Sequence, residues 1–276
     1  MRIKNVEINI EKMVTEKKYL LLSDLHVETK ESRNINDMCE SIKTIDHDSV
    51  LIPGDILNRV GVLDNAEVLN RLFKLFDILG KNHKVVCSLG NHDLMDRVGR
   101  DWQKADKNRL IDFLRNNTNA IVLDNQRCNL DGVTIDGFTL PYEYYKNEAG
   151  TETISQFLEA YRNFKLEDVD TPKLLMVHSA YNAIETGLPD NYDVIVSGHS
   201  HNGLVPPALD FIPGSIGLMS PQTELKKLKG LFPKYTRGLI EGKYIINGAI
   251  NPFNEYESLD RLYGPTGTVL TLKPNK

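Results

Sequence analysis

The chain has 276 residues, 41% hydrophobic and 26% charged, which is ordinary globular composition with enough apolar material for one large core or two modest ones. A formal net charge of -5 offers no broad basic field, which counts against nucleic acid as a partner and leaves small anions open. Cys39, Cys87 and Cys128 stand far apart with no CxxC pair, so neither a disulfide framework nor a thiolate zinc site is expected. The opening stretch lacks the apolar core of a secretory signal, and no apolar run approaches the roughly 20 residues that span a bilayer. The expected location is cytoplasmic.

In chain order, the first strong signal is "KYLLLSD" at 18–24, followed by "SVLIPGD" at 49–55. Both are almost continuously apolar, the pattern of strands covered on two faces. A helix is expected over 65–79, where Val68, Leu72, Leu75, Phe76 and Leu79 fall on one side. "KVVCSLGN" at 84–91 reads as a third buried strand, and 104–117 as a second helix with Leu110, Ile111 and Leu114 inward. Residues 120–140 carry strand patterns with hairpin turn signals at Asp131-Gly132 and Asp136-Gly137. "KLLMVHS" at 173–179 and "DVIVSGHS" at 193–200 are buried strands again. The tail adds strand patterns at 237–250 and 267–274, which with 120–140 suggest a second sheet. Strands alternating with helices mean an α/β layered fold, and the absence of repeats, low-complexity tracts or Pro/Gly/Ser linkers points to one domain over 1–276.

The five buried strands end alike: Asp24 with His26, Asp55, Asn91 with His92 and Asp93, His178, and His199 with His201. Ligands of open α/β sheets collect beyond the carboxyl ends of strands, so these side chains are expected to converge. Taken singly, each is ordinary, since an Asp at a strand end caps turns and a His after an apolar run packs in a core. Together, imidazoles, carboxylates and an amide form a donor set for divalent first-row metals, and their number calls for more than one ion. Two such ions outweigh the charge of Asp24, Asp55 and a bound hydroxide, which favours an anionic substrate. A metal pair can hold that hydroxide and clamp the oxygens of an in-line displacement at phosphorus, so phosphate-ester hydrolysis is the expected chemistry.

The series "SDLH", "PGD", "GNHD", "VHS" and "SGHSH" resembles the calcineurin-like metallophosphoesterases, over about residues 18 to 203. The resemblance implies a four-layer α/β/β/α sandwich of two mixed sheets, with a dinuclear metal site at the strand C-terminal ends. It assigns Asp24, His26 and His201 to one metal and Asn91, His178 and His199 to the other, with Asp55 bridging. It makes His92 a proton donor to the leaving oxygen or a stabiliser of charge in the transition state, and Asp93 the group that orients His92. It also implies two divalent metal ions, manganese expected first, with iron, zinc or nickel suited to the same donors. Two departures loosen any subfamily placement. The last motif runs on as "GHSHNGLVPP", with Asn202 and Leu204 where relatives carry glycine and glutamine, and Asn58 stands where an acidic residue is frequent.

Further features carry weaker signals. His47 and His83 lie outside the motifs and read as loop packing, while Arg97 and Arg100 are placed to reach a phosphate or to stay solvated. Residues 204–238 mix large apolar side chains with Lys226, Lys227, Lys229, Lys234 and Arg237. They suggest either a basic-rimmed lid for a lipid-linked substrate or membrane surface, or a packed loop. The expected function is a phosphoesterase acting on small mono- or diesters, with lipid phosphate against nucleotide undecided. The alternatives are a catalytically silent scaffold of the same fold and a mononuclear hydrolase of carbonyl substrates.

Overall fold

The nearly continuous apolar runs do become interior strands, distributed over two sheets that face each other. The computed structural model describes residues 1–145, 154–164, 166–209, 214–218, 232–252 and 263–275. In chain order the strands are β1 (Arg2–Ile10), β2 (Lys17–Leu21), β3 (Ser49–Pro53), β4 (Lys84–Ser88), β5 (Met95–Val98), β6 (Asp101–Lys104), β7 (Ile121–Val122), β8 (Gln126–Leu130), β9 (Val133–Phe138), β10 (Lys173–Val177), β11 (Val194–Ser197), β12 (Gly238–Ile240), β13 (Tyr244–Ile246) and β14 (Thr266–Pro274). The helices are α1 (Arg33–Ile42), α2 (Ala66–Gly80), α3 (Asn108–Asn117), α4 (Tyr142–Tyr145), α5 (Ile154–Phe164) and α6 (Tyr181–Thr186).

One sheet has the order β1-β14-β2-β3-β4-β7 and the other β12-β13-β11-β10-β9-β8; both mix parallel with antiparallel pairs, and β5 and β6 form a separate ribbon. The pleat explains the apolar runs, because successive side chains point to opposite faces and both faces are covered. Leu20, Val50, Val85 and Cys87 meet Met38 of α1, Leu72 of α2 and Leu114 of α3. Their neighbours Tyr19, Leu21, Leu51 and Val86 meet Ile135, Leu174, Met176 and Val196 of the second sheet. On the far side Phe138, Leu175 and Ile195 pack against Tyr144 of α4, Phe157 of α5 and Ala183 of α6. Three apolar interfaces make four layers, α/β/β/α, each fully buried Leu or Ile contributing about 1.5–3 kcal/mol.

Three expectations are corrected, and one edge strand is added. The 267–274 strand joins the first sheet, between β1 and β2, because its residues are buried on both faces and need a neighbour on either side. The edge beside it goes to β1, which sequence reading overlooked; its outer half alternates between exposed and buried positions, as an edge strand should. The five motif-bearing strands divide between sheets, β2, β3 and β4 in one and β10 and β11 in the other. Asp136-Gly137 makes no turn: it lies inside β9, where Asp136 is opposite Arg127 and a Cβ on Gly137 would come 2.4 Å from Leu123. The hairpin turn is the other signal, Asp131-Gly132, between β8 and β9.

Helix α2 matches its expected buried face residue for residue, capped by the Asn65 side chain on the Glu67 N–H. Helix α3 starts only at Asn108, because 101–104 pairs with β5 instead. No helix among the described residues is long and apolar enough to cross a membrane. Much of 204–238, read as either a lid or a packed loop, lies outside the described residues, Lys226, Lys227 and Lys229 included.

Candidate metal centre

Parallel neighbours end at the same edge of a sheet. The loops after β2, β3 and β4 therefore emerge side by side, as do those after β10 and β11. Backbone bonds lace the first set together: the Asp24 N–H donates to the Gly54 carbonyl at 3.3 Å and the His26 N–H to the Asp55 carbonyl at 3.1 Å. Gly54 is the point of closest approach, since a Cβ there would lie 2.6 Å from both the Gly90 nitrogen and His178 Nδ1. Only glycine lets the ends of β3, β4 and β10 close at that distance.

Five residues of the cluster hold the left-handed region, with φ of 53° at Asp24, 46° at His26, 54° at Asp55, 68° at His199 and 48° at His201. Few non-glycine residues adopt this conformation, which costs about 1–2 kcal/mol each. Such a concentration of backbone strain marks a site over-determined by its surroundings.

The side chains then converge. His201 Nε2 lies 3.3 Å from Asp24 Oδ1 and 3.4 Å from His26 Nε2. His178 Nε2 lies 3.0 Å from Asp55 Oδ2 and 3.8 Å from Asp24 Oδ1, while His26 Nε2 is 3.8 Å from Asp55 Oδ2. Ligand-capable atoms fall into three overlapping groups, each within 4.8 Å: Asp24, His26 and His201; His26, Asp55 and His92; Asp55, His178 and His199. Asn91 is buried between Gly90, which touches Asp55, and His92, whose N–H donates to Asp55 Oδ1 at 2.8 Å.

Two of these imidazoles are fixed from behind. His178 Nδ1 lies 2.8 Å from the Pro53 carbonyl and His201 Nδ1 2.9 Å from the Pro252 carbonyl. A carbonyl only accepts, so both Nδ1 atoms carry hydrogen and both Nε2 atoms face the cluster. Burial would push the carboxyls of Asp24 and Asp55 up, but His201 beside the first and His178 beside the second hold both well below the usual carboxylate range. His26 is pulled down to about 3 by burial and by His92, whereas Asp55 outweighs the burial of His178 and raises it to about 9.

The donor set suits divalent metals. It combines imidazole nitrogen and carboxylate oxygen without thiolates, and it leaves buried Asn91 Oδ1 and His178 Nε2 without a hydrogen bond. His178 Nε2 is near enough to Asp55 for a hydrogen bond but misaligned, as two ligands of one ion would be.

Asp93 departs from its expected role. Its buried carboxylate accepts from the N–H groups of Gly90 at 2.9 Å, Leu57 at 2.9 Å and Ile56 at 3.3 Å. It therefore ties the turn after β4 to the loop after β3 and does not hold His92. Burial and the neighbouring Asp55 push its carboxyl up to about 7. His92 is oriented by the Asn58 carbonyl, 2.6 Å from Nδ1. The Asn58 side chain in turn donates to Glu28 at 2.6 Å. The asparagine at position 58 thus serves Glu28 with its side chain and His92 with its main chain.

Arg97 and Arg100 are exposed on the β5–β6 ribbon, and His47 and His83 stack on each other at 4.0 Å, outside the cluster. Sequence reasoning missed Trp102, whose ring lies 5.5 Å from that of His92, and the 247–252 segment behind His201.

The family model described as calcineurin-like phosphoesterase matches residues 17–203. An uncharacterized metallophosphoesterase of Helicobacter pylori strain J99 is 24% identical over 209 residues, 75% of this chain and 50% of its own length. Another, of Campylobacter jejuni, is 25% identical over 208 residues, 74% of this chain and 49% of its own length. The chain thus spans about half the length of these curated relatives. Among solved structures, phosphopantetheinyl hydrolase of Mycobacterium tuberculosis is similar with a TM-score of 0.44 at 15% identity, covering 70% of this chain and 84% of that one.

Proposed function

The chain belongs to the calcineurin-like phosphoesterase family, and on that premise we propose that it hydrolyses small phosphate mono- or diesters with the help of two divalent metal ions. The observation that carries this reading is the convergence of Asp24, His26, Asp55, His92, His178, His199 and His201 from five strand ends into overlapping ligand groups. Asp24, His26 and His201 would hold one ion, and Asn91, His178 and His199 the other, with Asp55 between them. Manganese is the first candidate; iron, zinc and nickel suit the same donors. Bound there, the ions supply Lewis acidity and lower the pKa of a coordinated water toward about 7.

The remaining work falls to this chain's own groups. The Asn58 carbonyl keeps hydrogen on His92 Nδ1, so Nε2 is the atom through which the imidazolium form would pass its second proton to the departing ester oxygen. The carbonyls of Pro53 and Pro252 keep His178 and His201 aimed inward, and Asp93 fixes the turn that carries Asn91 and His92. The apolar core shared by both sheets supports treating 1–276 as one domain, and the free cysteines Cys39, Cys87 and Cys128 suit a reducing, cytoplasmic location.

Turnover of p-nitrophenyl phosphate and bis-p-nitrophenyl phosphate tests the reading. Activity should follow Mn²⁺ loading and disappear on chelation. Undiminished hydrolysis by the metal-free protein would overturn it.

A further inference from the structure

We propose that Trp102 is a stacking platform for a nucleobase, so that the substrate is a nucleotide ester whose leaving group carries the base. The inference rests on the phosphoesterase reading and names its substrate class.

His92 sits between two rings: His26 of the ligand cluster at 4.7 Å and Trp102 at 5.5 Å. A leaving group that takes its proton from His92 therefore comes within reach of the indole. The indole is 39% exposed, on a ribbon whose second strand, β6, is exposed throughout. A two-stranded ribbon is marginal by itself, yet this one is anchored at its backbone. The buried Tyr142 phenol donates to the Trp102 carbonyl at 2.9 Å, the Ala105 N–H donates to the Leu94 carbonyl at 2.8 Å, and Gly61 packs against the Asp96 carboxylate. The fold thus fixes the main chain of position 102 and leaves its aromatic side chain partly exposed beside the proton donor.

The polar, cationic surroundings of the indole point to a base. Arg97 is the direct cross-strand partner of Trp102, and directly opposed residues share a face of the ribbon, so a cationic side chain stands on the same face as the indole. Arg100 and Gln103 are exposed on the same short ribbon. An indole with a cationic side chain on its own face of the ribbon suits a flat heterocycle with polar edges.

Trp102 is the sole tryptophan of the chain, so intrinsic tryptophan emission reports on this position alone. Adenosine 5′-monophosphate and ribose 5-phosphate, which lacks the base, are titrated into the Zn²⁺-loaded protein and also assayed as inhibitors of bis-p-nitrophenyl phosphate turnover. Adenosine 5′-monophosphate should change the emission saturably and bind about 5- to 100-fold tighter than ribose 5-phosphate. Trp102→Phe should preserve that ratio and Trp102→Ala should collapse it. Equal affinities in the wild type, or tighter binding of a lysophosphatidic acid than of either, would overturn the proposal. Absent bis-p-nitrophenyl phosphate turnover with every metal tried would count against the phosphoesterase reading instead, while the emission titration still reports on stacking.

Discussion

Two buried carboxylates in this molecule meet opposite circumstances. Asp136, in the middle of β9, receives Arg127 Nε at 2.7 Å and Nη2 at 2.8 Å, with the Tyr192 hydroxyl at 2.6 Å; Arg127 spends a further N–H on the Glu167 carbonyl. Asp55, at the end of β3, accepts one N–H from His92 and turns its other oxygen to a misaligned His178 nitrogen. The backbone of the Asp55 cluster is strained, while Asp136 sits in regular strand. A buried charge is tolerated when its partners come from within the chain, as at Asp136. Where buried polar atoms face one another without closing hydrogen bonds, the fold is arranged around something that binds.

The sharpest way to break this contrast is to neutralise each carboxylate in turn. Asp55→Asn should cut bis-p-nitrophenyl phosphate turnover roughly 10⁴-fold, equivalent to about 5 kcal/mol of transition-state stabilisation, the scale of losing a required catalytic group. Its urea midpoint should shift less than that of Asp136→Asn, since the amide oxygen still receives the His92 N–H. A variant with near-wild-type turnover would remove Asp55 from the centre of the chemistry. Asp136→Asn should cost about 3 kcal/mol in urea denaturation, because it unpairs the partly exposed Arg127 guanidinium and weakens the buried Tyr192 hydrogen bond, yet leave turnover per folded molecule intact. A selective loss of turnover there would mean the two regions are not separate. The smallest effect is on thermal stability: Mn²⁺ at about a hundred times its Kd should add about 2.7 kcal/mol to wild type. A calorimetric melt showing the same gain in Asp55→Asn would place the ion elsewhere.

Much of this contrast was legible before the fold was known. Pairs such as Leu20 and Leu21 face different layers, so two-sided burial is written as an unbroken apolar run, and the abrupt polar residues after each run mark where the site lies. The partition of strands between sheets was not legible, because the pairing of β14 with β1 and β2 joins segments more than 200 residues apart and has no local signature. Asp136-Gly137 has the composition of a turn, but the approach of Leu123 and the pull of Arg127 keep it in strand. Asp93 and His92 are adjacent in sequence yet point apart on a single 3₁₀ turn. The Asn58 contact uses a main-chain oxygen, which side-chain chemistry does not announce. Trp102 is exposed, so no burial pattern drew notice to it.

The positive φ angles at Asp24, His26, Asp55, His199 and His201 have a consequence for how such a site can vary. Outside glycine, the residues that tolerate this backbone best are asparagine, aspartate and histidine, the same types that bind these metals. A library randomised there and screened for foldedness alone is thereby biased toward ligand-competent variants, so shape and reactivity narrow the alphabet in the same direction.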